Sequence, residues 1–89
     1  MMIYSNELAP GKLYMTPYPA LLNHHKIDLN KPKINSYDTL MFVDEKECDG
    51  YITYSFICGT NLLTFRNKKN SKITGSAVFE DLFYEIKNT

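Results

Sequence analysis

The chain has 89 residues and a mass of 10.3 kDa, which is room for a single domain over residues 1–89 with a thin core, since a chain this short buries only about two-thirds of its unfolded surface or a little less. Seven Tyr and five Phe with no Trp make aromatic rings a main source of buried area and favour sheet over helix. Ten Lys and Arg balance ten Asp and Glu, so no overall field draws the protein toward nucleic acid or an anionic membrane, and no stretch approaches the ~20 apolar residues of a membrane span. Residues 1–13 carry neither a basic leader nor a long apolar run, so a cytoplasmic protein is expected.

Pro10-Gly11 reads as a turn that delivers the backbone into a first strand over residues 12–16. Pro17 and Pro19 then stop regular pairing, because each lacks a donor and fixes φ. Residues 18–36 form a long connection with an extended apolar centre at Ala20-Leu21-Leu22, a polar His24-His25-Lys26 segment and Pro32 near its end. A second strand is predicted over residues 39–45 and a third over 51–58. Between them stands Asp49-Gly50, the strongest short-range hairpin signal, because a two-residue type I′ loop needs positive φ at both central positions. After a turn at Gly59-Thr60-Asn61 comes a fourth strand over residues 62–66, then a basic loop over 67–72. The final segment mixes helical spacing (Val78, Leu82, Ile86) with strand alternation (Leu82, Tyr84, Ile86), which fits one helical turn over 76–81 and a closing strand over 82–86.

A two-residue loop at Asp49-Gly50 sets Cys48 opposite Tyr51, Glu45 opposite Tyr54, Val43 opposite Phe56 and Met41 opposite Cys58. Met41, Val43, Ile52, Tyr54, Phe56 and Cys58 then share the interior face. Asp44, Lys46, Thr53 and Ser55 lie outside with Phe42 and Ile57, which the long connection or a partner would cover. Cys48 and Cys58, at opposite ends of this hairpin, are too far apart for a disulfide.

This order of elements is that of an SH3-like barrel: all-β, about five antiparallel strands, one short helical turn near the C-terminus. Pro10-Gly11-Lys12-Leu13-Tyr14, Asp38-Thr39-Leu40-Met41-Phe42-Val43 and Tyr54-Ser55-Phe56-Ile57-Cys58-Gly59 together resemble the short SH3-like barrel proteins found in tailed phages and marine environmental sequence sets. Tyr37 departs from that pattern, standing where Gly is expected before the Asp of the second-strand turn. The resemblance implies a fold and no activity, and for a phage protein it implies the host cytoplasm.

No catalytic, cofactor or metal site emerges from the residue pattern. The tip Asp44-Glu45-Lys46-Glu47-Cys48-Asp49-Gly50 approaches a calcium loop, but Phe56 occupies the position of the closing bidentate Glu and no helices flank it. His24 and His25, adjacent on an extended backbone, point to opposite faces, and the cysteines lack metal-ligand spacing. Ser, His and Asp occur without a nucleophile elbow. A proline-peptide groove of the SH3 type would want the missing Trp and an ALYDY-type motif. Tyr14, Tyr18, Tyr37 and Tyr54 suggest an aromatic cage for a cation, against which core packing is the plainer reading.

The expectation is therefore a non-enzymatic binding or assembly module without cofactors, acting through Tyr18, Tyr37, Phe42, Ile57, Arg66, Lys68, Lys69 and Lys72. Its partner is a second copy or another protein, with complementary acidic and basic patches at the hairpin tip and the 67–72 loop. The alternative is a nucleic-acid-binding barrel that uses the basic loop from Arg66 to Lys72 and exposed tyrosines.

Overall fold

The computed structural model describes residues 2–4 and 7–87; the other residues of the domain predicted over 1–89 lie outside the described residues. In chain order the elements are β1 (Met2–Tyr4), β2 (Leu13–Met15), α1 (Pro19–His24), β3 (Leu40–Cys48), β4 (Tyr51–Cys58), β5 (Asn61–Lys68), a 3-10 turn (Phe79–Leu82) and β6 (Tyr84–Ile86). The six strands make one antiparallel sheet in the order β1-β6-β2-β3-β4-β5. The fold is thus all-β, as the sequence predicts, with the meander, the short helical turn and a closing strand that returns beside β2. The sixth strand, β1, was not among those expected. No helix among the described residues is long and apolar enough to cross a membrane.

Asp49 and Gly50 take φ of 52° and 81°, the two positive values that the predicted turn requires. From that turn the register runs as expected through Cys48–Tyr51, Glu45–Tyr54 and Asp44–Ser55. It then shifts: Phe42 pairs with Phe56 and Met41 with Ile57, leaving Val43 as the extra residue of a β-bulge. The consequence reverses part of the predicted core. Phe42 and Leu40 are buried, whereas Met41 and Val43 are only partly so. Phe42, expected on the outer side as a partner contact, is a core residue.

The connection after β2 also differs from expectation. Its apolar centre is α1, not an extended segment: Pro19 sits in the first turn, where its fixed φ suits a helix and its missing N–H costs nothing, and the helix buries Leu22. Beyond α1, residues 25–27 run along β5, with the Ile27 N–H donating to the Thr64 carbonyl (2.8 Å) and the Arg66 N–H to the His25 carbonyl (2.9 Å). Asn23 holds Ile34 by both backbone groups at 2.8 Å each, and the Lys26 ammonium donates to the carbonyls of Lys31 (2.6 Å) and Pro32 (2.8 Å). Ser36 and Tyr37 form a turn without positive φ, so the sequence does not need Gly there.

One face of the sheet carries the core. Tyr14, Leu40, Phe42, Tyr54, Phe56, Leu63 and Phe65 project from the strands onto Leu22, Ile34, Phe79, Leu82 and Phe83. Phe83, beside β6, stacks on Phe56 of β4 with centroids 5.1 Å apart, although three steps of sheet order separate those strands. The sheet is therefore curled around its aromatic core.

Candidate functional site

Two hollows that share Tyr84 lie side by side, apart from a larger and more open one of about 510 Å³ between α1 and residues 33–35. The first, about 390 Å³, lies between α1 and the 3-10 turn and is lined by Tyr18, Leu21, Ala77, Asp81 and Tyr84 among others. The second, about 300 Å³, is lined by Met15, Pro17, Ser36, Tyr37 and Tyr84. Local chemistry fixes each wall. The Thr16 hydroxyl accepts the Tyr18 N–H at 3.0 Å, turning the chain out of β2 so that Tyr18 stands at the mouth, 50% exposed. Asp81 Oδ2 accepts the Val78 N–H at 2.8 Å, and the Asp81 N–H donates to the Val78 carbonyl, which shapes the 3-10 turn. Gly75, at φ 54°, allows residues 74–77 to fold back as the third wall. Tyr37, 88% exposed, overhangs the second hollow from the turn before β3.

Alternation also sorts the outer side of the sheet. Leu13, Met41, Ile57 and Leu62 are cross-strand neighbours in one row over β2, β3, β4 and β5, opposite in facing to the buried Tyr14, Phe56 and Leu63. Leu62 is 49% exposed. Farther toward the hairpin tip the same side carries Lys46, Thr53 and Arg66 in one row and Cys48, Tyr51 and Lys68 in the next.

The ionisable groups with displaced pKa values lie elsewhere. The buried Tyr54 hydroxyl donates to Glu80 Oε1 at 2.5 Å; burial, then this bond to a carboxylate, pushes its pKa well above the ordinary value. Burial and the charge of Glu80 raise Glu45. Burial lowers His25, against the raising effect of the Arg66 carbonyl 3.3 Å from its Nδ1, with the charge of His24 lowering it further. Burial, then Asp38, raises the thiol of Cys58, which like Cys48 is free. Among the described residues no three His, Cys, Asp or Glu side chains are grouped to hold a metal ion.

The predicted site residues divide accordingly. Tyr18 and Tyr37 come together around Tyr84. Ile57 lies in the outer apolar row, with Met41 beside it in the place assigned to Phe42. Arg66 lies over the Tyr51 ring, 5.2 Å from its centroid, with Lys68 paired opposite Tyr51. Lys69 instead pairs with Glu47 at 3.1 Å, and Lys72 is exposed in the following loop. The suggested cage does not form, since Tyr14 and Tyr54 are core residues whose hydroxyls are engaged. Tyr84, Leu21 and Asp81 were missed; the alternation Leu82, Tyr84, Ile86 marks Tyr84 as a strand residue and gives no sign of the hollow it divides.

Comparison of the chain with protein-family models, curated proteins and solved structures gives no match in any of the three.

Proposed function

We propose that the protein is a non-enzymatic binding module whose tyrosine-lined groove receives an extended, apolar segment of another protein. The observation that carries this reading is the pair of hollows meeting at Tyr84, with the exposed rings of Tyr18 and Tyr37 at their mouths. Aromatic rings supply large, rigid contact area with few rotamers to order, and grooves of this kind suit chains already extended. Polar groups around the rings, among them Ser36, Thr74 and Ser76, can fix the register of a bound backbone. Kinship with the short SH3-like barrels of tailed phages belongs to the same proposal, supported by the strand order β6-β2-β3-β4-β5 and the 3-10 turn before β6.

Selection of a random peptide library on the immobilised protein tests the reading. Apolar peptides should be enriched on the wild-type chain and lost from Tyr84→Ala. Enrichment that survives Tyr84→Ala together with Tyr37→Ala, or no enrichment at all, would refute it. Self-association, the other form of binding expected, would use the outer row of Leu13, Met41, Ile57 and Leu62. Light scattering that shows the same mass for the wild type and Ile57→Lys would remove that row from consideration.

A further inference from the structure

The alternation of β3, β4 and β5 places Glu45 and Glu47 on one face of the hairpin and Lys46, Arg66 and Lys68 on the other, where Asp44, opposite Ser55, is the one carboxylate that β3 contributes. Glu45 and Glu47 face the side of Tyr54 and Ile52, where Glu47 is paired with Lys69. Lys46, Arg66 and Lys68 face outward, on either side of β4 and about 10 Å apart across two strand spacings. Among the described residues no carboxylate lies within ion-pair distance of these three cations. In the row of Lys68, directly opposite it, stands Tyr51, 43% exposed, with the Arg66 guanidinium over its ring. The hydroxyls of Thr53, Ser55 and Thr64 complete the surface as hydrogen-bonding groups. At the β5 edge Arg66 also borders a hollow of about 350 Å³ lined by His24, His25 and Leu29.

Unpaired cations call for an anion, and an aromatic face beside them calls for a planar group attached to it. We infer that the outer face of the β3–β4–β5 meander binds single-stranded nucleic acid, with a base stacked on the Arg66–Tyr51 pair and phosphates on Lys46, Arg66 and Lys68. A stacking platform flanked by cations accepts unpaired bases with little regard to sequence. A duplex hides those faces within its own stack. The hollow beside His24 and His25 offers a neighbouring base a second place on the far side of Arg66. Because the chain is neutral overall, the attraction is local. This surface shares no residue with the tyrosine groove.

Fluorescence anisotropy of a labelled oligothymidylate, titrated with the protein between about 50 and 200 mM salt, tests the inference. Affinity should fall with salt with a log–log slope of about −2, the value for three phosphate contacts on a single strand. Arg66→Gln and Lys68→Gln, both exposed positions, should each weaken binding and make the slope shallower. Tyr51→Ala should weaken binding about 5- to 150-fold, with the far-UV spectrum of each variant checked against wild type. Tyr84→Ala should bind the oligonucleotide as the wild type does, which separates this surface from the groove. Three results would overturn the inference: no binding at about 100 μM protein in low salt, affinity unchanged in Arg66→Gln, or an abasic strand or a duplex bound as tightly as oligothymidylate.

Discussion

Phe42 and Met41 exchange roles because of one extra residue, and substitution makes the exchange measurable. Phe42→Ala and Phe56→Ala, which each empty a fully enclosed ring position, should cost about 3–5 kcal/mol in urea unfolding. Thr53→Ala, on the outer face, should cost about 0.5 kcal/mol or less. Glu45 offers a test in pH. Its folded carboxyl is raised above the ordinary 4.5 by burial and then by Glu80, so the folded state holds that proton more tightly than the unfolded chain. The stability gained is complete below about pH 4.5 and is lost as pH rises through the raised folded value. Glu45→Gln should abolish that loss and leave the variant relatively more stable near neutrality. The effect should be small, because the side chain lies near the surface. A Glu45→Gln stability profile that parallels the wild type from pH 4 to pH 7 would show that neither burial nor Glu80 raises the Glu45 carboxyl.

At the scale of elements, the bulge in β3 is tolerant of deletion in a way its neighbours are not. Without Val43, Phe42 would remain opposite Phe56 and Asp44 opposite Ser55 in an unbroken ladder, so every side chain would keep its face and only the local bend would be lost. The Val43 deletion should fold with a lowered Tm and a β-type far-UV spectrum. Deletion of Ser55 instead sends the tip half of β4 to the wrong face and should prevent folding. The same bulge explains why the hairpin was legible only in part. Asp49-Gly50 sets the register near the turn by backbone chemistry alone. The run Leu40-Met41-Phe42-Val43, however, is apolar at every position, so either parity satisfies a hydrophobic face and no alternation betrays the slip. Likewise α1, with six residues, is too short to display a helical period, and its Pro19 reads equally as the end of a ladder or the start of a helix. Tyr18 and Tyr37 were recognisable as exposed rings beside Pro and turn residues. Their meeting at Tyr84 depends on β6 returning next to β2, a long-range pairing that no local pattern encodes.

For the molecule as a whole, protection should follow the order of the sheet. β4 pairs from Tyr51 to Ile57 with β3 on one side and along its full length with β5 on the other, so its amides should exchange slowest, at the global unfolding free energy, while those of β1 should exchange early. Slowest exchange in β1 or β2 would mean that the meander is not the stable centre. The segment from His25 to Ile27, which bonds to Thr64 and Arg66 on the open side of β5, bears on how copies of the chain can meet. A sheet with two bare margins can recruit strands without limit, and fibres grow that way. Here the middle of one margin, around Phe65, is already occupied by the chain's own connection, while among the described residues β1 ends the order at the other margin and the tip half of β3 extends beyond its pairing with β2. Antiparallel addition at β1 would join two copies by a twofold axis and place the occupied middle of β5 at each end of the doubled sheet, where the chain's own connection stands in the way of a further strand.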